Sequence, residues 1–173
     1  RAIWLTLAVV SAGTGLATVV LSNWLDLAPC HLCIFQRLLM LVLGGLAFWA
    51  ALSVGKRISV WISGSLALVT ALAGASTALY QSWMQLQPPG SIACAGGKLG
   101  PIEIGVEWLG QHLPSLFLAT GFCEDEGYRI LGLTLANWSS LCFLALAAAI
   151  TWTLWTAGRS AERPHAESTS RTN

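Results

Sequence analysis

The chain has 173 residues, of which 55% are apolar and 10% charged, and its formal net charge is +1. A soluble domain carries about 25% charged residues, so this composition excludes a water-facing globular surface and makes the bilayer the expected solvent. A net charge this close to zero argues against nucleic acid as a partner and against a polybasic lipid anchor.

Residues 2–22 form the first long apolar stretch and carry no charge. A membrane-spanning helix needs about 20 predominantly apolar residues, and this run supplies them. It is longer than the apolar core of a typical signal peptide. No small-x-small cleavage pattern follows before Asn23-Trp24, so it is read as a retained span. A first loop over 23–33 ends in Pro29-Cys30-His31-Leu32-Cys33, and a second span over 34–54 carries Arg37 near its start. After Lys56-Arg57, a third span over 58–83 has Trp61, Tyr80 and Trp83 near its ends, where aromatic side chains anchor at the interface. A long loop over 84–136 leads to the fourth span, 137–157, with Asn137 as the expected N-cap and Trp138, Trp152 and Trp155 as belt residues. The polar tail 158–173, with Pro164 and several Ser and Thr, is expected to be disordered. The expected domain organisation is a single four-helix transmembrane unit over 1–157. Ser11 and Gly15, Gly44 and Gly45, and Gly74 and Ala78 suit close helix contacts.

In this four-span arrangement Arg1, Lys56, Arg57, Arg159, Arg163 and Arg171 fall on one side, and Lys98 and Arg129 on the other. The positive-inside rule then places both termini in the cytoplasm and the two long loops outside.

The Cys-x-x-Cys pair opens a helix. Partial positive charge at a helix N-terminus favours thiolate, and the thiol pKa of such cysteines falls to roughly 3.5–7.5. On a helix, Cys30, Cys33 and Arg37 stand at i, i+3 and i+7 and share one face, with Cys33 one turn deeper than Cys30. Arg37 there supports the Cys33 thiolate, and an ionisable residue inside a span end marks function.

Four of the five cysteines, Cys30, Cys33, Cys94 and Cys123, fall in the outer loops, the side where disulfides persist. Cys142 lies in the fourth span and reads as a small hydrophobe. A haem attachment site needs Cys-x-x-Cys-His, and Ile34 follows Cys33. Structural zinc prefers two closely spaced pairs, and Cys94 and Cys123 are far apart. Inert structural disulfides are a further reading, although a Cys-x-x-Cys bridge closes too short a loop to restrain the unfolded chain much. Short helix-capping pairs suit thiol–disulfide exchange better.

The segment Gln87-Pro-Pro-Gly-Ser-Ile-Ala-Cys-Ala-Gly-Gly has little helix or strand propensity and leaves Cys94 open to an outside protein. Beyond it, Ile102, Val106, Leu109, Leu113 and Leu116 with Phe117 recur at helical spacing. That pattern predicts a short amphipathic helix, lying on the bilayer surface or packed on the span bundle. Glu124, Asp125 and Glu126 follow Cys123 and disfavour its thiolate relative to Cys33.

In these features the chain resembles the disulfide bond formation protein B (DsbB) family of inner-membrane thiol:quinone oxidoreductases. The resemblance covers four spans, Pro-Cys-x-x-Cys followed by Arg37, a Pro-Pro loop holding Cys94, and Cys123 before the last span. It implies an all-α membrane protein, a four-transmembrane-helix bundle with a short interfacial helix in the second outer loop. It also implies a multi-pass protein of the bacterial inner membrane with its cysteine loops in the periplasm. The implied activity is reoxidation of a periplasmic DsbA-like thioredoxin-fold oxidase, with electrons passed to a membrane quinone, ubiquinone or menaquinone. By the same resemblance Cys94 and Cys123 form the disulfide attacked by the partner, Cys123 exchanges with Cys30, and Cys33 donates to quinone beside Arg37. His31 stands between the active cysteines where relatives often carry an aliphatic residue, and an imidazolium there would favour thiolate. Gln36 replaces a residue that is acidic in some members. Tyr80 and Gln81 precede Trp83-Met84-Gln85 where relatives often have a basic residue, which leaves the third-span contact to the quinone open. The alternative from a different class is a non-catalytic tetraspan protein whose outer cysteines hold loops or bind metal.

Overall fold

A computed structural model describes residues 1–25, 29–87, 100–113, 121 and 129–170. Four long helices carry the chain: α1 over Ala2–Trp24, α2 over His31–Leu52, α3 over Arg57–Met84 and α5 over Leu135–Ser170. All four include segments long and apolar enough to cross a membrane, the last over Leu135–Arg159. A shorter helix, α4, spans Pro101–His112. Among the described residues the fold is therefore the expected all-α membrane bundle with one additional short helix.

Packing in lipid depends on close approach rather than on expulsion of water. Here α1 packs on α2, α2 on α3, and α3 on α5. The α3 face toward the bundle is built from small residues, with Ala67, Ala71 and Ala75 at four-residue spacing beside Gly64, Gly74 and Ala78, all buried. Into that shallow face α5 inserts Phe143, Ile150 and Leu154. The opposite faces carry Val9, Val20, Val69 and Leu72, each exposed in the isolated chain and placed to meet lipid. Several hydroxyls within the spans are satisfied by their own helices: Thr14 donates to the Val10 carbonyl, Ser63 to Ser59 and Thr151 to Ala147. At the end of the fourth span Trp152 and Trp155 are in ring contact, and the Arg159 guanidinium lies 4.3 Å from the Trp155 ring centroid. That stack suits an interfacial anchor.

The small residues singled out in the sequence differ in use. A Cβ on Gly44 would stand 3.0 Å from the Ala12 backbone nitrogen, one on Gly15 would stand 3.2 Å from Leu41, and one on Gly74 would overlap the Phe143 ring. Gly45 has nothing within 4 Å. Gly74→Ala should therefore destabilise the bundle by about 1–3 kcal/mol, the usual cost of overpacking. Gly45→Ala should be neutral or slightly stabilising through helix propensity. Thermal unfolding of the two variants in detergent measures the difference, and Phe143→Leu should restore much of the loss in Gly74→Ala.

Several expectations are corrected. The fourth span begins at Leu135, and its cap is Thr134, whose hydroxyl accepts the Asn137 backbone N–H at 3.4 Å. Thr134 therefore occupies the capping position that composition assigned to Asn137, three residues further on. Composition predicts disorder from 158, but the backbone stays helical through Ser170. Before the cap lies a hairpin that hydropathy did not reveal, with β1 (Arg129–Ile130) antiparallel to β2 (Leu133–Thr134). Leu131 and Gly132 form its turn at φ 54° and 81°, the positive values a tight two-residue hairpin turn requires.

The amphipathic segment forms α4, which packs against the start of α2 through Val106 and Ile102 on Ile34. Its other side exposes Ile104 and Trp108. Leu116 and Phe117, expected on the same helix, lie outside the described residues.

Candidate functional site

The start of α2 is organised around its two cysteines. Pro29 cannot donate a backbone hydrogen bond and suits the residue before a cap. Cys30 is the N-cap, with extended backbone at φ −84° and ψ 168°, and its sulfur accepts the Cys33 backbone N–H at 3.4 Å. The cap role usually taken by an Asp or Ser oxygen thus falls to a sulfur. Cys30 Sγ in turn donates to Cys33 Sγ at 3.1 Å.

Burial divides the pair. Cys30 is 2% exposed and packs with Leu32 and Met84, whereas Cys33 is only partly covered. Cys33 is one turn further along the helix, as the spacing requires, yet it is the more accessible sulfur. Leu32, Met84 and Ile102 form an apolar shell against the pair, closest around the buried Cys30. In such a setting each polar contact to sulfur is stronger than it would be in water.

Those contacts come from a residue that sequence patterning did not assign to the cysteines. Gln81, near the end of α3 and 3% exposed, donates from Nε2 to Cys33 Sγ at 3.1 Å and to Cys30 Sγ at 3.4 Å. Its carbonyl oxygen accepts the Gln36 Nε2 at 2.9 Å, and Gln36 is likewise buried. The sequence signal was present: a glutamine buried in a span needs a polar partner. Which partner it meets depends on how α2 and α3 pack.

Arg37 is half-buried, and its Nη2 donates to the Ser22 hydroxyl near the end of α1. Arg37 stands one turn beyond Cys33 on the same face of α2. A second helix, α1, thus holds the guanidinium at the cysteine end of α2. Ser22 was not picked out from the sequence. A lone serine in an apolar run usually bonds its own helix, as Ser22 also does through the Thr18 carbonyl.

His31 is turned toward α4, where its Nε2 lies 3.7 Å from Glu107 Oε2. Its contact is with that carboxylate, which ties the first turn of α2 to α4. Cys142 is half-buried against the main core, as a small hydrophobe would be. Cys94 and Cys123 lie outside the described residues. One contact reaches toward the second of them: the Gly121 N–H donates to the Pro29 carbonyl at 3.1 Å. That bond ties the second outer loop, two residues before Cys123, to the residue preceding Cys30.

The described arrangement thus holds a helix-capping dithiol with a fixed neutral donor on one side and a fixed cation nearby. It is suited to stabilising negative charge on either sulfur, the state that thiol–disulfide exchange passes through.

Comparison with known proteins points the same way. The family described as disulfide bond formation protein DsbB matches residues 1–153. Disulfide bond formation protein B of Dechloromonas aromatica is 39% identical over 148 residues, covering 86% of this chain and 88% of that protein. The protein of the same name from Azoarcus sp. is 38% identical over 135 residues, covering 78% and 80%. That from Nitrosomonas europaea is 33% identical over 156 residues, covering 88% and 93%.

Proposed function

This chain belongs to the disulfide bond formation protein B family, and from that premise we propose that it is a protein-dithiol:quinone oxidoreductase of the bacterial inner membrane. Its protein substrate is a periplasmic DsbA-like thioredoxin-fold oxidase. The observation that carries the reading is the helix-capping Cys30–Cys33 pair, with Gln81 on its sulfurs and Arg37 one turn beyond Cys33 on the same helix.

The electrons travel in pairs. A thiolate of the reduced partner attacks Cys94, forming a mixed disulfide and releasing Cys123 as a thiol. The second partner thiol closes the partner's own disulfide and leaves Cys94 reduced, so two electrons and two protons have entered the chain. Cys123 then attacks Cys30 and displaces Cys33, and Cys94 resolves that bond, leaving Cys30 and Cys33 as the dithiol. The Gly121–Pro29 hydrogen bond supports this exchange, because two residues of chain span at most about 7 Å.

The residues present suit a quinone at the Cys33 end. Cys33 is the more accessible sulfur, and Arg37 offers a planar set of N–H donors, of which one goes to Ser22. A bound quinone supplies the sink for the two electrons and two protons released as the Cys30–Cys33 bond closes. With a quinone bound there, Cys33 would present the electron-rich sulfur, Arg37 would offset negative charge on the acceptor, and Gln81 would keep its hydrogen bond to the sulfur. His31 lies at this end of α2 and links it to α4 through Glu107.

The protein is multi-pass, and the positive-inside distribution supports cytoplasmic termini with the cysteine loops in the periplasm. The deciding experiment is oxidation of a reduced DsbA-like protein by the purified chain in detergent, with and without ubiquinone or menaquinone. Catalytic, quinone-dependent turnover is the expected result. Stoichiometric zinc on four reduced outer cysteines, with no turnover, would establish a non-catalytic tetraspan protein instead.

A further inference from the structure

Two glutamines from different spans meet at the sulfurs. A carboxamide has two ends of nearly equal size and opposite polarity, so its direction decides what a neighbouring sulfur feels. With Nε2 inward, Gln81 offers N–H to Cys33 at 3.1 Å and to Cys30 at 3.4 Å. Turned over, it would press a carbonyl oxygen against an electron-rich sulfur. Gln36 opposes that reversal, because its own Nε2 donates to Gln81 Oε1 at 2.9 Å, and turning Gln81 alone would set two NH2 groups against each other. Both side chains are at least nine-tenths buried, at 3% and 6% exposure, so water offers neither a substitute partner.

We propose that Gln81 is a catalytic hydrogen-bond donor to whichever of Cys30 and Cys33 carries negative charge, and that Gln36 is the positioning residue that fixes the direction of its amide. The proposal deepens the dithiol:quinone reading and rests on it for the roles of the two cysteines. One NH2 group lies within reach of both sulfurs, so charge can pass from one to the other without the donor moving. The donor is neutral and does not titrate, so its support is the same across the working pH range. It adds to the Arg37 charge without placing a second cation in the apolar shell of Met84, Leu32 and Ile102.

The test uses the full chain carrying Gln81→Met, Gln36→Met or both, since methionine is unbranched and close to glutamine in length and volume. Two readouts are taken: the alkylation rate of reduced Cys30 and Cys33 by iodoacetamide at neutral pH, resolved by mass spectrometry, and the equilibrium of the pair with glutathione. Gln81→Met should slow alkylation about tenfold, in line with losing one hydrogen bond to a charged acceptor. It should also move the glutathione equilibrium about tenfold toward the disulfide, about 30 mV for two electrons. Gln36→Met should give a smaller change in the same direction, and the double variant should match Gln81→Met alone, because Gln36 acts only through Gln81. Unchanged reactivity and equilibrium in a folded Gln81→Met chain would overturn the donor role, and additive effects in the double variant would overturn the positioning role. Should Gln81→Met fail to fold, Gln81→Asn, one methylene short of the sulfurs, provides the same readout with the same expected loss. Neither measurement needs quinone or partner, so a failed oxidase assay and a failed donor assignment are distinguishable.

Discussion

Replacing Cys33 with serine should abolish quinone-dependent turnover while leaving the chain able to capture its protein partner. Serine keeps the size and the local hydrogen bonding of cysteine but cannot close a disulfide with Cys30, so the two electrons have no route out. Losing a nucleophile of this kind costs about a thousandfold or more in rate. In the proposed route Cys33 is the exit sulfur, and its position suits that role: it is less covered than Cys30, takes the shorter Gln81 hydrogen bond, and lies one turn from Arg37 on the same helix. In the proposed route partner capture runs through Cys94, far from Cys33 in sequence, so a mixed disulfide with a reduced DsbA-like protein should still accumulate on a non-reducing gel. Cys94→Ser should give the complementary result, with no mixed disulfide and a Cys30–Cys33 pair that quinone still oxidises. Turnover at the parent rate in Cys33→Ser would sink the electron route.

The spans were legible because lipid leaves few ways to satisfy a backbone, and a long uncharged run has one plausible structure there. The Cys30 cap was legible for a similar reason: a Pro-Cys-x-x-Cys before an apolar run places the first cysteine where a helix must begin. What escaped depends on how helices are rotated against one another. Gly44 and Gly45 are neighbours in the chain, yet only Gly44 meets α1, and no periodicity as weak as that of α2 separates them. Gln81 is 48 residues from Cys33, and their contact exists only because α3 turns that side chain toward α2. Gln36 was read as a missing negative charge, whereas its use is as a donor with a direction, which composition cannot express. The hairpin at 129–134 has strands of two residues each, too short for alternation to register, and one of its positive-φ positions is a leucine. His31 illustrates a different limit: adjacency in sequence suggested the thiolates, and the fold gives it Glu107 from α4.

Arg37→Ala should raise the quinone concentration needed for half-maximal rate by about 10–100-fold, the equivalent of losing a hydrogen bond to a charged group. The half-saturating concentration of the partner should stay within about twofold, because in the proposed route partner capture involves the loop that carries Cys94. The geometry gives this prediction its specificity. The Ser22 hydroxyl holds one arm of the guanidinium, leaving the remaining donors of a rigid fork for a polar acceptor at the membrane-side end of the site. Arg37→Lys restores a charge but not the fork, since an ammonium cannot hold Ser22 and a second acceptor in the same plane, so it should recover only part of the loss. Ser22→Ala keeps the guanidinium and removes its tether, so its effect should be smaller than that of Arg37→Lys and confined to quinone. Titrating turnover against quinone at saturating partner, and against partner at saturating quinone, separates the two substrates for each variant. Equal damage to both would mean that Arg37 serves the packing of α1 on α2 and has no special part in electron exit.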